Sequence, residues 1–305
     1  MIRDVEISEV GPRDGLQMLK GIMPTERKKA WIAALAAAGL PEIEVGSFVP
    51  PQLLPQMADA AEIVAFARTL PGLEVAVLAP NAKGTARAIE AGAHKITMPL
   101  SVSPSHSLAN VRKTPDEMIE EIRESDRLRG EALSQPIIEV GLSTAFGCTI
   151  EGRVPGFEVV PLAVAAIAAG ADEVGLADTT GMANPQQIKQ LITDVRREIG
   201  DRLTGVHLHN TYGLGLANAL AAYDVGIRTF DSSQAGLGGC PYAPGASGNI
   251  VTEDLVYMFE SMGVRTGIDL GKLTEARAIV TEAFPSETVY GHVPAVGLPK
   301  NFSPA

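Results

Sequence analysis

Eight short apolar runs alternate with helix-like segments through the first 265 residues, and several of those segments end in glycine. This alternation predicts a (βα)8 barrel, an α/β fold of the TIM-barrel class. Two observations favour a closed barrel over a doubly wound open sheet: the repeat count reaches eight, and no G-x-G-x-x-G follows the first strand. A barrel of this length is usually one domain, and 46% hydrophobic residues in a 305-residue chain can fill its core.

In order, the predicted strands are VEISEV (5–10), EIEVGS (42–47), LEVAVLAP (73–80), HKITMPL (94–100), IIEVGLS (137–143), DEVGLAD (172–178), GVHLHN (205–210) and RTFDSS (228–233). Each is short, apolar and bounded by turn residues. Between them lie helix-like segments at 25–39, 57–70, 81–92, 114–133, 157–170, 184–200 and 214–226. Gly39, Gly92, Gly170, Gly200 and Gly226 close five of these, as left-handed caps before the next strand. A helix around 252–263, a helix-like run at 271–284 and a Pro-rich tail complete the chain. The expected division is a catalytic barrel over 1–268 and a small helical C-terminal extension over 269–305 that caps it.

Composition narrows the partners. A formal charge of -11 and the lack of a long basic run argue against nucleic acid and against a membrane surface. Only Cys148 and Cys240 are present, the start is not signal-like, and the final FSPA carries no localisation tag, so a soluble cytoplasmic protein is expected.

In such a barrel, chemistry belongs at the carboxyl ends of the strands. His207 and His209, two of only five histidines, stand one residue apart at the end of the seventh strand and face one spot. GPRDGLQ after the first strand offers Asp14 as a hard oxygen ligand and Arg13 as a donor to a developing negative charge. Asn249, where the loop after the eighth strand closes, adds an amide oxygen. The set Asp14, His207, His209 and Asn249 suits a divalent cation, Mg²⁺ or Mn²⁺, and lacks the thiolates of a structural zinc site.

Other strand ends leave alternatives open. Glu44 and Ser47 lie on the second strand, where Glu44 is either an inward group or an outer-face carboxylate. Asp178 and Thr179 reach the rim after the sixth strand; Asp178 is a ligand-orienting carboxylate or a helix cap, a role for which Asn184 is the better candidate. Cys240, in the Gly-rich loop 234–249, is a proton donor or an incidental small residue. His106 either meets substrate or caps its loop.

GPRDGLQ, IEVGSFVPP with PQMAD, ADTTGMANP, VHLHNTYGLGLAN and AGLGGCPYAPGASGN with TEDLVYM together resemble the 3-hydroxy-3-methylglutaryl-CoA lyases, in order and over about 4–265. The resemblance implies cleavage of an acyl-CoA thioester to acetyl-CoA and a keto acid. It also implies metal ligation by Asp14, His207, His209 and Asn249, catalysis by Arg13, Glu44, Asp178 and Cys240, substrate contacts from Arg13, Gln17, Ser47 and Thr179, and a homodimer. Asp178 or His207 is the implied base. Departures fall on the acyl pocket: Met18 and Leu19 stand where Asn-Glu is usual, SFVPPQLLPQM lacks a lysine and a tryptophan, and Asn210 replaces a common Asp. Citramalyl-CoA therefore stays open as a substrate.

Three rivals are weaker. A Schiff-base aldolase would need Lys95, at the wrong end of its strand. A Claisen synthase would be expected to carry a long C-terminal regulatory domain. A non-catalytic binding protein would be expected to lose a ligand, and all four are present.

Overall fold

The computed structural model describes residues 2–238 and 248–305. Eight parallel strands close into a barrel in sequence order: β1 (Glu6–Glu9), β2 (Glu42–Ser47), β3 (Glu74–Leu78), β4 (Lys95–Ser101), β5 (Ile137–Ser143), β6 (Glu173–Asp178), β7 (Leu203–Leu208) and β8 (Thr229–Ser232), with β8 pairing back to β1. Around them run α1 (Thr25–Ala37), α2 (Ala60–Ala67), α3 (Ala82–Ala91), α4 (Pro104–Val111), α5 (Pro115–Gly130), α6 (Gly156–Ala168), α7 (Pro185–Ile199) and α8 (Gly215–Asp224). Gly39, Gly92, Gly170, Gly200 and Gly226 all have positive φ, as a helix ending before a strand favours.

The strand pattern explains where the core lies. In β5, Ile138, Val140 and Leu142 are fully buried, while Glu139, Gly141 and Ser143 line an internal cavity. Successive strand residues point to opposite faces, so the apolar set packs under the helices and the small or polar set faces the barrel axis. Ser8, Ala76, Thr97, Gly175, Ala177 and Gly205 repeat this choice on other strands and help leave a cavity of about 410 Å³. Most barrels fill this space with branched side chains.

At the floor, Lys95 opens β4 and is buried, its ammonium 3.0 Å from Glu42, 3.1 Å from Glu139 and 3.3 Å from Glu173. Burial lowers and these carboxylates raise its pKa, and the carboxylates prevail, so the amine stays charged.

After β8 come α9 (Thr252–Ser261), α10 (Leu270–Ala283) and the short α11 (His292–Val296). The buried face of α10 carries Leu270, Leu273, Ala276 and Val280, and the helix packs on α1 and α9. The α11 N-terminus is held by Asp254, which accepts the amides of His292 and Val293 at 2.8 Å each. No helix among the described residues is long and apolar enough to cross a membrane.

Candidate metal centre and active site

The turn after β1 is unusually wide. In Gly11–Gly15 the amides of Arg13, Asp14 and Gly15 converge on the Val10 carbonyl at 3.1, 2.7 and 3.4 Å, a π-type turn of the kind that often marks functional sites. Beneath it, Glu9 is wholly buried. It accepts the amides of Gly11 (2.9 Å) and Gln234 (2.8 Å) and the Thr252 hydroxyl (2.6 Å), joining this turn to both sides of the loop after β8. Burial pushes Glu9 up to about 8 against the pull of those donors. Arg13 then projects into the cavity, with Nε donating to Glu44 at 2.5 Å and Nη1 to Asp14 at 2.6 Å. Glu44 is thus an inward, buried carboxylate. Burial raises it to about 7 although Arg13 opposes the shift.

Across the cavity, His207 is the next-to-last residue of β7 and His209 lies just past its end, their Nε2 atoms 3.1 Å apart. Asn249 is brought beside them by chain pairing: Asn210 donates to Gly248, Ile250 to Leu208 and Ser233 to Ile250, so residues 248–250 slot between the ends of β7 and β8. The Asn249 amide donates to Asp14 Oδ2 at 2.7 Å and to the Leu237 carbonyl at 3.0 Å. Gly238, at φ +100°, lets this happen, because a β-carbon there would lie 2.5 Å from Asn249 Nδ2.

These groups suit a divalent cation. Asp14, His207 and His209 each place one ligand-capable atom within 4.8 Å of the other two. Two ligands about 2.1 Å from one ion and at right angles to each other lie about 3.0 Å apart, which matches the imidazole pair. His209 Nδ1 and Asn249 Oδ1 are buried without a hydrogen-bond partner among the described residues, although buried polar atoms are normally paired. Charge agrees: Asp14, Glu44 and Asp231 face the cavity against the single guanidinium of Arg13. Burial raises Asp14, but Arg13 and the two histidines outweigh it and hold the carboxyl down at about 2. Burial, with His207 and Arg13 nearby, holds His209 at about 3, so its ring is neutral and able to ligate.

A family model described as HMGL-like matches residues 4–280, nearly the whole chain. The chain belongs to the HMGL-like family. Bovine mitochondrial hydroxymethylglutaryl-CoA lyase is 40% identical over 286 residues, spanning 94% of this chain and 87% of the relative. The mouse cytoplasmic 3-hydroxy-3-methylglutaryl-CoA lyase is 41% identical over 285 residues, 93% and 82% of the two chains. Among solved structures, an HMG-CoA lyase from Acinetobacter baumannii, in complex with coenzyme A and 3-methylmalate, superposes with a TM-score of 0.90 at 38% identity, covering 99% of this chain and 97% of that one. The Bacillus subtilis HMG-CoA lyase gives 0.91 at 36% identity, over 97% and 98%.

The remaining expected residues of this HMGL-like chain divide. Gln17 and Thr179 line the cavity; Gln17 donates to Asp14 at 2.7 Å, and Thr179 accepts the Thr144 amide at 2.8 Å. Ser47 is buried at the end of β2, outside the cavity lining, with its hydroxyl 3.4 Å from the Val49 amide. Asp178 also departs from the expected rim position. It is fully buried and accepts the Ala183 amide at 3.1 and 3.2 Å, bracing the turn before α7, which Asn184 caps. Burial raises Asp178 to about 6, against the turn amides. Cys240 lies outside the described residues. His106 lines the cavity near its Ser103 cap and is bonded to Ser101 at 2.8 Å.

Asp231, whose carboxylate lies 3.0 Å from His207 Nδ1, is a site residue that the sequence does not announce. The β7–β8 register sets the two side by side, and its trace in the sequence is one carboxylate beside Phe230 in a largely polar strand.

Proposed function

We propose that this HMGL-like chain is a divalent-metal-dependent carbon–carbon lyase that cleaves 3-hydroxy-3-methylglutaryl-CoA to acetyl-CoA and acetoacetate. The carrying observation is the convergence of Asp14, His207, His209 and Asn249 beside Arg13 at the barrel mouth. Relatives about 40% identical over almost the whole chain, each named for this reaction, support the reading.

Asp14, His207, His209 and the Asn249 oxygen would hold the cation. When bound, it supplies Lewis acidity that favours loss of the substrate's C3 hydroxyl proton. Neither implied base is free to take that proton while the cation is held, since Asp178 is engaged by backbone amides and His207 by Asp231 on Nδ1 and the cation on Nε2, so water in the cavity is assigned as the acceptor. As the proton leaves, the O–H electron pair forms the new C=O and the C2–C3 bond breaks. Its electrons pass to the thioester as an enolate, whose oxygen Arg13 stabilises from a position fixed by Glu44 and Asp14. A proton then returns to C2, and Cys240 is assigned as its donor. Gln17 and Thr179 complete the substrate contacts.

Met18, Val49 and Leu54 form an apolar part of the wall, which favours testing citramalyl-CoA as a second substrate. The proposal also includes Mg²⁺ or Mn²⁺ as the ion, a homodimer, a cytoplasmic setting, and residues 269–305 as a cap on the barrel. Acetyl-CoA release by metal-stripped protein, with and without Mn²⁺ or Mg²⁺ and alongside His209→Ala, tests the core of it. Metal-restored cleavage that the variant loses is expected; equal cleavage without metal would overturn the reading, and the faster thioester identifies the substrate.

A further inference from the structure

Asp231, on β8, turns its carboxylate into the cavity. It faces the cavity together with Asp14, Glu44 and Glu139, all acidic, with Arg13 the one arginine or lysine among the described lining residues. Its single hydrogen-bond partner among the described residues is His207. The one hydrogen bond it makes there points to that contact as the role of its position.

The contact fixes a proton. A carboxylate only accepts hydrogen bonds, so the facing Nδ1 of His207 must carry the hydrogen, and in the neutral ring Nε2 then holds a lone pair. That Nε2 lies 3.1 Å from His209 Nε2 and 4.0 Å from Asp14 Oδ2, within the ligand cluster. His209 has no such support, since its Nδ1 is buried without a partner among the described residues. The two histidines, alike in sequence, are unlike in the fold.

We propose that Asp231 is a positioning residue: it holds the His207 proton on Nδ1 and so aims the Nε2 lone pair at the cation site. Carboxylates behind metal-bound histidines act in this way generally, and their loss typically weakens metal binding about 10–100-fold. The inference rests on the metal reading above, and its test separates the two.

Mn²⁺ affinity, measured by electron paramagnetic resonance without substrate, is compared for the wild type, Asp231→Asn, Asp231→Glu and His209→Ala. Asp231→Asn should weaken binding about 10–100-fold, and Asp231→Glu should recover part of the loss, with melting temperatures near the wild type's. Unchanged affinity in a folded Asp231→Asn, while His209→Ala still loses Mn²⁺, would overturn the positioning role and leave the metal reading standing. A second readout needs no metal: nitrogen-15 shifts of the five histidines in apo protein. His207 protonated on Nδ1 in the wild type is expected, with a mixed or reversed tautomer in Asp231→Asn. A neutral ring protonated on Nε2 alone in the wild type would end the proposal, even if no variant folds or no chain binds Mn²⁺.

Discussion

Replacing Lys95 with methionine would test how the barrel floor is held together. The ammonium is buried and lies 3.0–3.3 Å from three carboxylates, Glu42, Glu139 and Glu173, donated by three different strands. At an effective permittivity of about 20, unit charges about 3 Å apart interact by roughly 5 kcal/mol. Much of that is offset by the cost of desolvating the lysine and its partners. What remains on deletion is the penalty of leaving buried carboxylates unpaired, on the order of 3–5 kcal/mol. For a chain of this size that corresponds to a fall in melting temperature of about 5–10 °C. The assay is equilibrium urea unfolding at pH 8, repeated at pH 5.5. Glu139 is already pushed up to about 7 by burial, Lys95 notwithstanding, and without the lysine it rises further. A carboxyl whose folded pKa exceeds its unfolded value binds more protons in the native state, so the deficit should grow with rising pH and shrink at pH 5.5. Adding Glu139→Gln should restore part of the loss. A deficit below about 1 kcal/mol, or one indifferent to pH and to the second substitution, would refute the claim that Lys95 serves as the counter-ion of this ring.

Arg13→Lys should lower kcat by about 100–1000-fold with little change in stability, because an ammonium cannot span Glu44 and Asp14 while stabilising an oxyanion; steady-state kinetics would show it. Glu9 has a folded pKa of about 8, raised by burial, so its contribution to stability is complete below the unfolded value near 4.5 and is lost as pH rises towards 8. Glu9→Gln should therefore remove a stability loss on the order of 5 kcal/mol across that window, and parallel curves for the two proteins in pH-dependent unfolding would contradict this. Gly238→Ala should cost about 1 kcal/mol in backbone strain and also weaken Mn²⁺ binding, since the new methyl meets Asn249 Nδ2 and Asp14 Oδ2. Calorimetric titration would detect the second effect even if the first is small.

All eight strands were legible because each pairs an apolar face with punctuation by turn residues, and five helix ends were legible from glycine alone. The helix α4 was not. Its sequence, PSHSLANV, is short and polar, and it depends on the Ser103 cap for a stable start. Within the site, His207 and His209 could be placed because i and i+2 share a face of a strand. Asp231 could not, since its partner is chosen by the register of the neighbouring strand. Glu9 is illegible in the sequence for a related reason: two of its three donors, Gln234 and Thr252, are more than 200 residues away in the chain. The direction of Asp178 was equally hidden, because a carboxyl at a strand end can turn to the cavity or to the backbone of its own loop. Here three successive amides, at Gly181, Met182 and Ala183, draw it to the loop.

The open axis of the barrel has a consequence for how such a protein can change. Gly141, Gly175 and Gly205 face inward, while Ile138, Val140, Leu142 and Val174 lie buried away from the cavity on β5 and β6. Above the charged floor at Lys95, cohesion therefore resides in the shell between sheet and helices, and the upper lumen contributes little to it. An added methyl at Gly141 would meet only Thr97, at an ordinary 3.7 Å, whereas trimming Leu142 would open a hole in packed material. Lineages of this architecture are thus free to resculpt the lumen for acyl groups of another shape, one side chain at a time, with the scaffold largely indifferent to the result.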